Sequence, residues 1–537
     1  MVNKVISEKL IKAWIKLLGK ENILIDEEKL ISYRVSCLRS PHTNLVCTLL
    51  PSSVKSLSAC LKLANKYRIP VHPISRGKNY GYGSLGPYQG PSVVMDLRYL
   101  NQVIECNKHF GYVLVEPGVT FKQLYHYIAK HAPNYKLSAF GGSSEASLVG
   151  NALERGVGKG VQGNREASSE IVEVVLSNGD TVSIKDYLAC SDKTALLQHS
   201  TTGMNLSPLF FQSNLGIVTK MVIWLEPIPE YMHIITFSVA REKQLKCLLL
   251  TLKDLTKKNL LTPVYSFYND IRLIISSGSR LLDYQQSSFK EIRKNIVLDL
   301  KKKYGREIGA WNSSFSVSSS CLEEGELKVR LIKEKFRKLT KFLIVDVITK
   351  KEAKKLIKMS LENEHCVKES DFKFLFNLGY TNDYDQQSLY WRMPRSIKKN
   401  TTPSEDGCGL LWFVPKLPFY VPEIINFFEI LKKIALQYQR KLPITFQFKT
   451  AHLVYAIIPI TFNQHDKQSV LEAYEYYNTL LDMACNQGYL PYRIPNISME
   501  RFFSTDTPGL SLRNKIKYAF DPKGIIAPGH YNKSDDF

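Results

Sequence analysis

Residues 70–86, PVHPISRGKNYGYGSLG, hold four glycines, Gly77, Gly81, Gly83 and Gly86, beside the cations of Arg76 and Lys78. Glycine admits positive φ and lets the backbone pass close to a ligand. Successive backbone N–H groups can then converge on one anion, forming a nest suited to a phosphate. A glycine-rich hairpin without a ligand is the plain alternative. Gly81, Gly83 and Gly86 also satisfy G-x-G-x-x-G, the fingerprint of nicotinamide folds, which works only where a helix opens directly behind it. Here Pro87, residues 88–90 and Pro91 follow, then the strand-like Ser92–Leu97, so the nicotinamide reading is excluded. A second small-residue stretch, residues 139–164, carries glycines at 141, 142, 150, 156, 158, 160 and 163.

The elements that must position these loops are legible from periodicity. Cys47–Leu50 reads as a buried strand. Pro51, Ser52 and Ser53 open a helix over Val54–Tyr67, with Val54, Leu57, Leu61 and Ala64 on one face. The strand Val71–Ile74 feeds the glycine loop. Ser92–Leu97 and Tyr112–Glu116 are further strands, and Thr120 caps a helix running to about His131. Ile171–Leu176 and Thr181–Ile184 flank Asn178-Gly179, the pattern of a β-hairpin. Ser213–Leu225 is another strand region, ended by Pro227 and Pro229. After 230 the style changes to longer strands and lysine-rich helices. The chain therefore divides into residues 1–229, 230–487, and a C-terminal segment 488–537 that returns to glycine and proline punctuation. That segment holds Tyr492-Arg493, a helix near 509–519, and FDPKGIIAPG.

With 537 residues the chain is too long for one core. Its 44% hydrophobic and 23% charged content is that of an ordinary globular protein. No apolar run approaches the roughly 18 residues that span a membrane. The N-terminal stretch is a charged amphipathic helix with Ile6, Leu10, Trp14 and Leu17 or Leu18 on one face. It lacks the apolar run and cleavage site of a secretory signal, so it is expected to pack on the first domain, and the protein is expected in the cytoplasm. The ten cysteines show no C-x-x-C and no metal-ligand spacing, which predicts free thiols and no metal. The net charge of +22 is concentrated in Lys301–Lys303, Lys328–Lys341, Lys350–Lys358 and Lys398–Lys399. Solvated helix faces account for most of it. An anionic partner or membrane surface is the alternative, and no nucleic-acid motif is present.

Several blocks, in order, resemble the flavoproteins of the vanillyl-alcohol oxidase and para-cresol methylhydroxylase family. They are PISRGKNYGYGS, VVMDLRYLNQVIE, VLVEPGVTFKQLYHYI, VGNALERGVG, VVLSNGD, FFQSNLGIVTKMVIWLEP, DGCGLLWF, PYR and DPKGIIAPG. The resemblance covers about residues 12–230 and 405–537. It implies an α+β fold: an FAD-binding domain of two α+β subdomains, with a core at about 42–229, under an α+β cap. Ser75, Arg76, Gly77, Lys78, Asn79, Tyr80 and Gly81 would cradle the pyrophosphate. Gly150, Asn151, Glu154, Arg155 and Gly156 would lie along the cofactor, and Gly216, Ile217 and Val218 on its adenine side.

Some members of that family hold a phenolate with two tyrosines and an arginine, and the matching positions here are Tyr82, Tyr492 and Arg493. Other positions depart from the pattern. Gly142 stands where the oxidase carries an acid beside the flavin, leaving Glu145 as the nearest candidate. Tyr455-Ala456 replace a histidine pair, leaving His452 as a candidate for proton transfer. Leu410 stands where a histidine would bond the flavin, so FAD is expected to be non-covalent. Cys408, two residues away on the same strand face, is the alternative nucleophile. The resemblance thus implies an FAD-dependent oxidoreductase that takes a hydride from a para-substituted phenol or aromatic alcohol. The alternatives are oxidation of a hydroxy acid or natural-product intermediate, and a flavin-binding protein that acts through its basic cap without catalysis. The electron acceptor is open, and a homo-oligomer is compatible with the family.

Overall fold

The computed structural model describes residues 6–38, 45–83, 85–87, 91–185, 192–199, 202–261, 263–276, 289–304, 308–363, 367–394, 402–504 and 507–532. Residues 88–90 of the expected turn and the Lys398–Lys399 pair lie outside them. The architecture is α+β, with helices packed on separate sheets.

Three sheets organise the chain. In the first, Leu45–Leu49, Ser92–Asp96 and Val71–Ile74 run parallel, with Ile23–Leu24 antiparallel at one edge. The amphipathic helices pack on it as their periodicity requires. Ser53 caps Val54–Tyr67 with a reciprocal capping box, burying Leu57, Leu61 and Ala64. The helix Glu8–Leu18 buries Leu10 and Trp14 against it. Leu17 instead faces solvent.

The second sheet is antiparallel, in the order Val103–Asn107, Tyr112–Val115, Ile217–Trp224, Ser169–Val175, Thr181–Ser183. The expected strand at Ser213 begins only at Ile217, because Ser213–Gly216 forms a loop whose Asn214 binds the Ala527 carbonyl and Asn532. The helix Phe121–His131, capped by Thr120, covers one face.

The strand Tyr231–Val239 opens the third sheet, of eight strands. It lies between Phe342–Thr349 and Trp311–Ser319; on the Trp311–Ser319 side Tyr265–Asn269, Thr445–Phe448, Leu453–Asn463 and Cys408–Phe413 follow, and the short Lys416–Pro418 also pairs with Leu453–Asn463. Leu245–Lys257, Leu322–Phe336, Val421–Gln437 and Lys467–Asn486 bury an aromatic-rich core on one face of this sheet. The other face looks toward the glycine loops. The C-terminal segment returns to the first sheet: Val71 bridges Ile526, with Val71 N donating to the Ile525 carbonyl at 2.7 Å. No described helix is long and apolar enough to cross a membrane. The eight described cysteines are free thiols.

Candidate active site

A cavity of about 790 Å³ lies between the first two sheets and the open face of the third. That is within the range of small-molecule sites. The loop after Val71–Ile74 forms one wall. Gly77 and Gly81 adopt φ of +65° and +78°, a region closed to most side chains. The backbone amides of Gly77, Lys78, Asn79 and Tyr80 make no hydrogen bond among the described residues. They are free for an anionic ligand, as a nest requires. Opposite them, Ser147 caps the short helix Leu148–Leu153. A Cβ on Gly150 would stand 3.3 Å from Ser75 Oγ, and one on Gly156 would collide with Asn151 at 2.4 Å. Asn151 Oδ1 is buried without a protein partner and lines the cavity.

Ser75, Arg76, Gly77, Lys78, Asn79, Tyr80, Gly150, Asn151, Glu154, Gly156, Gly216, Ile217 and Val218 all line this cavity. Gly81 does not. Its Cα faces the third sheet, where a Cβ would meet Trp412 Cδ1 at 2.5 Å and Leu410 Cγ at 2.9 Å. Trp412 Nε1 donates to the Tyr80 carbonyl at 3.1 Å, so Gly81 joins the loop to the strand Cys408–Phe413 of the third sheet.

Tyr82, Tyr492 and Arg493, far apart in sequence, meet at one end of the cavity. Tyr82 Oη donates to Tyr492 Oη at 3.4 Å, with the rings at 84°. The Arg493 guanidinium lies 4.3 Å from the centre of the Tyr82 ring. Its Nη2 donates to Asn79 Oδ1 at 2.6 Å, and its Nε lies 2.9 Å from Glu154 Oε2. Glu154 also accepts from Tyr531 Oη at 2.8 Å and contacts His530 Nε2 at 3.2 Å. Burial works against the Glu154 charge, but Arg493 and the His530 and Tyr531 hydrogen bonds outweigh it and hold its pKa at about 2. Burial likewise opposes the Arg493 charge, and Glu154 with the surrounding phenols keeps its pKa above the ordinary arginine value. Burial, then the neighbouring Tyr492, pushes the Tyr82 hydroxyl well up. Tyr82 therefore stays a neutral donor. Two hydroxyls and a permanently charged guanidinium are the groups that stabilise an oxyanion.

Further residues orient this end. Gln212 Nε2 donates to the Tyr492 carbonyl at 3.1 Å, and Gln212 Oε1 accepts from Arg155 Nη1 at 3.1 Å. Arg155 is in turn paired with Glu166 at 3.1 Å. Tyr455 stacks on Tyr492 at 4.8 Å and 21°. Gln212, His530 and Tyr531 carry no local signal of this role. Only chain topology brings them here.

The structure does not bring Glu145 or His452 to the cavity. The Glu145 carboxylate is turned to Arg76, at 3.1 Å, and is 43% exposed. His452 sits on the exposed turn between Thr445–Phe448 and Leu453–Asn463. Cys408 is fully buried beside Cys37 and Tyr390, beyond the cavity. The same strand face presents Leu410 and Trp412 to the cavity instead.

Residues 46–185 match the family described as FAD binding domain. Along nearly its whole length the chain is similar to 1'-carboxy-chondrochloren decarboxylase of Chondromyces crocatus, 26% identical over 98% of this chain and 97% of that protein. It is similar to the 4-cresol dehydrogenase [hydroxylating] flavoprotein subunit of Pseudomonas putida, 27% identical over 96% and 93% of the two chains. A probable mitochondrial D-lactate dehydrogenase of Danio rerio is 32% identical over 34% and 35% of the two chains. The fold is that of p-cresol methylhydroxylase, solved with substrate bound, at a TM-score of 0.84 and 24% identity over 98% of both chains.

Proposed function

We propose that this chain is an FAD-dependent oxidoreductase of the para-cresol methylhydroxylase type, whose substrate is a para-substituted phenol held as the phenolate by Tyr82, Tyr492 and Arg493. The residues present fit FAD. The free amides of Gly77–Tyr80 suit a pyrophosphate, the orphaned Asn151 Oδ1 suits a polar edge, and the glycines admit a close backbone approach. Bound FAD supplies the hydride acceptor.

The observation that carries the substrate reading is the convergence of two tyrosine hydroxyls and one guanidinium on the cavity. The Glu154 contact fixes Arg493 in place. Arg493 Nη1 makes no hydrogen bond among the described residues and is available to a phenolate oxygen. Donors that prefer the ionised phenol lower its pKa. Ionisation pushes electron density through the ring toward the benzylic carbon of the para substituent, which favours loss of hydride from that carbon. Tyr455, stacked behind Tyr492, keeps its hydroxyl aimed.

The test compares a 4-alkylphenol with its O-methyl ether on the purified holoenzyme. The ether has the same shape and cannot ionise. Turnover of the phenol with none of the ether is the expected result; equal turnover of both refutes phenolate binding. A second reading, decarboxylation of a carboxylate-bearing substrate, is favoured by the full-length similarity to 1'-carboxy-chondrochloren decarboxylase. Release of CO₂ from such a substrate separates the two.

A further inference from the structure

The strands Trp311–Ser319, Tyr265–Asn269, Thr445–Phe448 and Leu453–Asn463 lie side by side in the third sheet. Their register pairs Ser266 with Gln447, and Gln447 with Tyr455. Phe267 pairs antiparallel with Ser313, which sets Ser266 opposite Ser314. Ser314, Ser266, Gln447 and Tyr455 thus form one cross-strand row, with Tyr268 and Thr445 in the next row. All six line the cavity.

Strand alternation sends the intervening residues the other way. Phe267, Phe315, Phe446 and Phe448 enter the apolar core. The fold therefore asks nothing polar of the cavity-facing positions. The side chains of Ser266, Tyr268, Thr445 and Gln447 make no hydrogen bond among the described residues, and Ser314 Oγ accepts only from Thr236 Oγ1, at 3.2 Å. Four unpaired polar side chains on one wall of a cavity are a recognition surface awaiting partners.

The row begins at the phenol end, because Tyr455 stacks on Tyr492. Three strand spacings of about 4.8 Å carry it roughly 14 Å from there. Its members are all uncharged. No cation stands in the row: of those lining the cavity beyond the glycine loop, Lys373 is paired with Asp346 at 2.5 Å, Lys159 lies over the Phe376 ring at 5.5 Å, and Arg272 donates to Ser276 one turn along its own helix. A carboxylate laid on the row would lose its hydration without a charge to replace it. An amide or hydroxyl would exchange donors and acceptors with Gln447, Thr445 and Ser266.

We infer that this row binds an uncharged hydrogen-bonding group, an amide or hydroxyl, on the para substituent, so that the substrate is an extended polar phenol and not a short alkylphenol. The inference rests on the phenol reading for the ring end alone. The experiment is calorimetric titration of holoenzyme whose flavin has been reduced beforehand, so that no turnover intervenes. Four ligands are compared: 4-butylphenol, N-acetyltyramine, the same acetamide lacking the phenol hydroxyl, and 4-(4-hydroxyphenyl)butanoate. N-acetyltyramine should bind at least about tenfold tighter than 4-butylphenol, the worth of roughly one buried hydrogen bond with its partner. Gln447→Leu should reduce that ratio to about twofold, and Thr445→Val, a smaller change, should lower it independently. Equal binding of the two phenols, tighter binding of the butanoate than of the amide, or an unchanged ratio in both variants overturns the inference. Equal binding of the acetamide with and without its phenol hydroxyl, both tighter than 4-butylphenol, supports the row and removes the phenolate reading instead.

Discussion

Glu154→Gln isolates the charge that holds Arg493 at the phenol end. The substitution keeps the shape and one carbonyl acceptor but removes the carboxylate that contacts Arg493, His530 and Tyr531. A fall of the Glu154 pKa from 4.5 to about 2 corresponds to about 3 kcal/mol of folding stability. Arg493, 7% exposed, would lose its counter-charge and keep only neutral neighbours, among them Asn79 and the Tyr82 ring. Breaking a buried ion pair from one side costs about 3–5 kcal/mol, the same order. Because the folded pKa is depressed, this stability is fully present above pH 4.5 and is lost as the pH falls toward 2. The variant should therefore melt about 6–12 °C below the parent at pH 7, for a cooperative unit of about 150–250 residues. The gap should close as the pH falls from 4.5. Thermal unfolding of the two holoproteins, followed by circular dichroism from pH 7 to pH 3, measures both. A variant melting within 2 °C of the parent at pH 7, or a gap independent of pH, refutes the assigned role of Glu154.

Lys449 runs in the opposite sense. Burial pushes its ammonium down to about 8, against the pull of Glu166, so at pH 7 the side chain stays charged at a cost to folding. Lys449→Met should stabilise by about 3 kcal/mol at pH 7, with the advantage shrinking as the pH rises from 8 to 10.5; melting curves across that range check it. Acid precipitation should leave a yellow supernatant, because Leu410 and not Cys408 faces the cavity; colour in the pellet would show a covalent flavin.

Local order was legible in the residues. Val54–Tyr67 was readable to the residue because a capping serine, a fourfold apolar spacing and a following strand agree. The Asn178-Gly179 hairpin and the Thr120 cap were equally local. The phosphate-type loop was visible because positive φ at Gly77 and Gly81 demands glycine. The pairing of Tyr82 with Tyr492 and Arg493 came from resemblance, since no local rule links segments more than 400 residues apart.

Which carboxylate and which strand face serve the site were decided only in three dimensions. Glu145 and Glu154 look alike as acids in a glycine-rich stretch, yet one meets Arg76 at the surface and the other meets Arg493 in the interior. Cys408 shares a strand face with Leu410, but the cavity ends between them. The row of Ser314, Ser266, Gln447 and Tyr455 comes from four strands that are neighbours only through the order of the third sheet. Periodicity sets which residues of a strand share a face. It is the pairing of distant strands, and the loops they are folded against, that sets what that face meets.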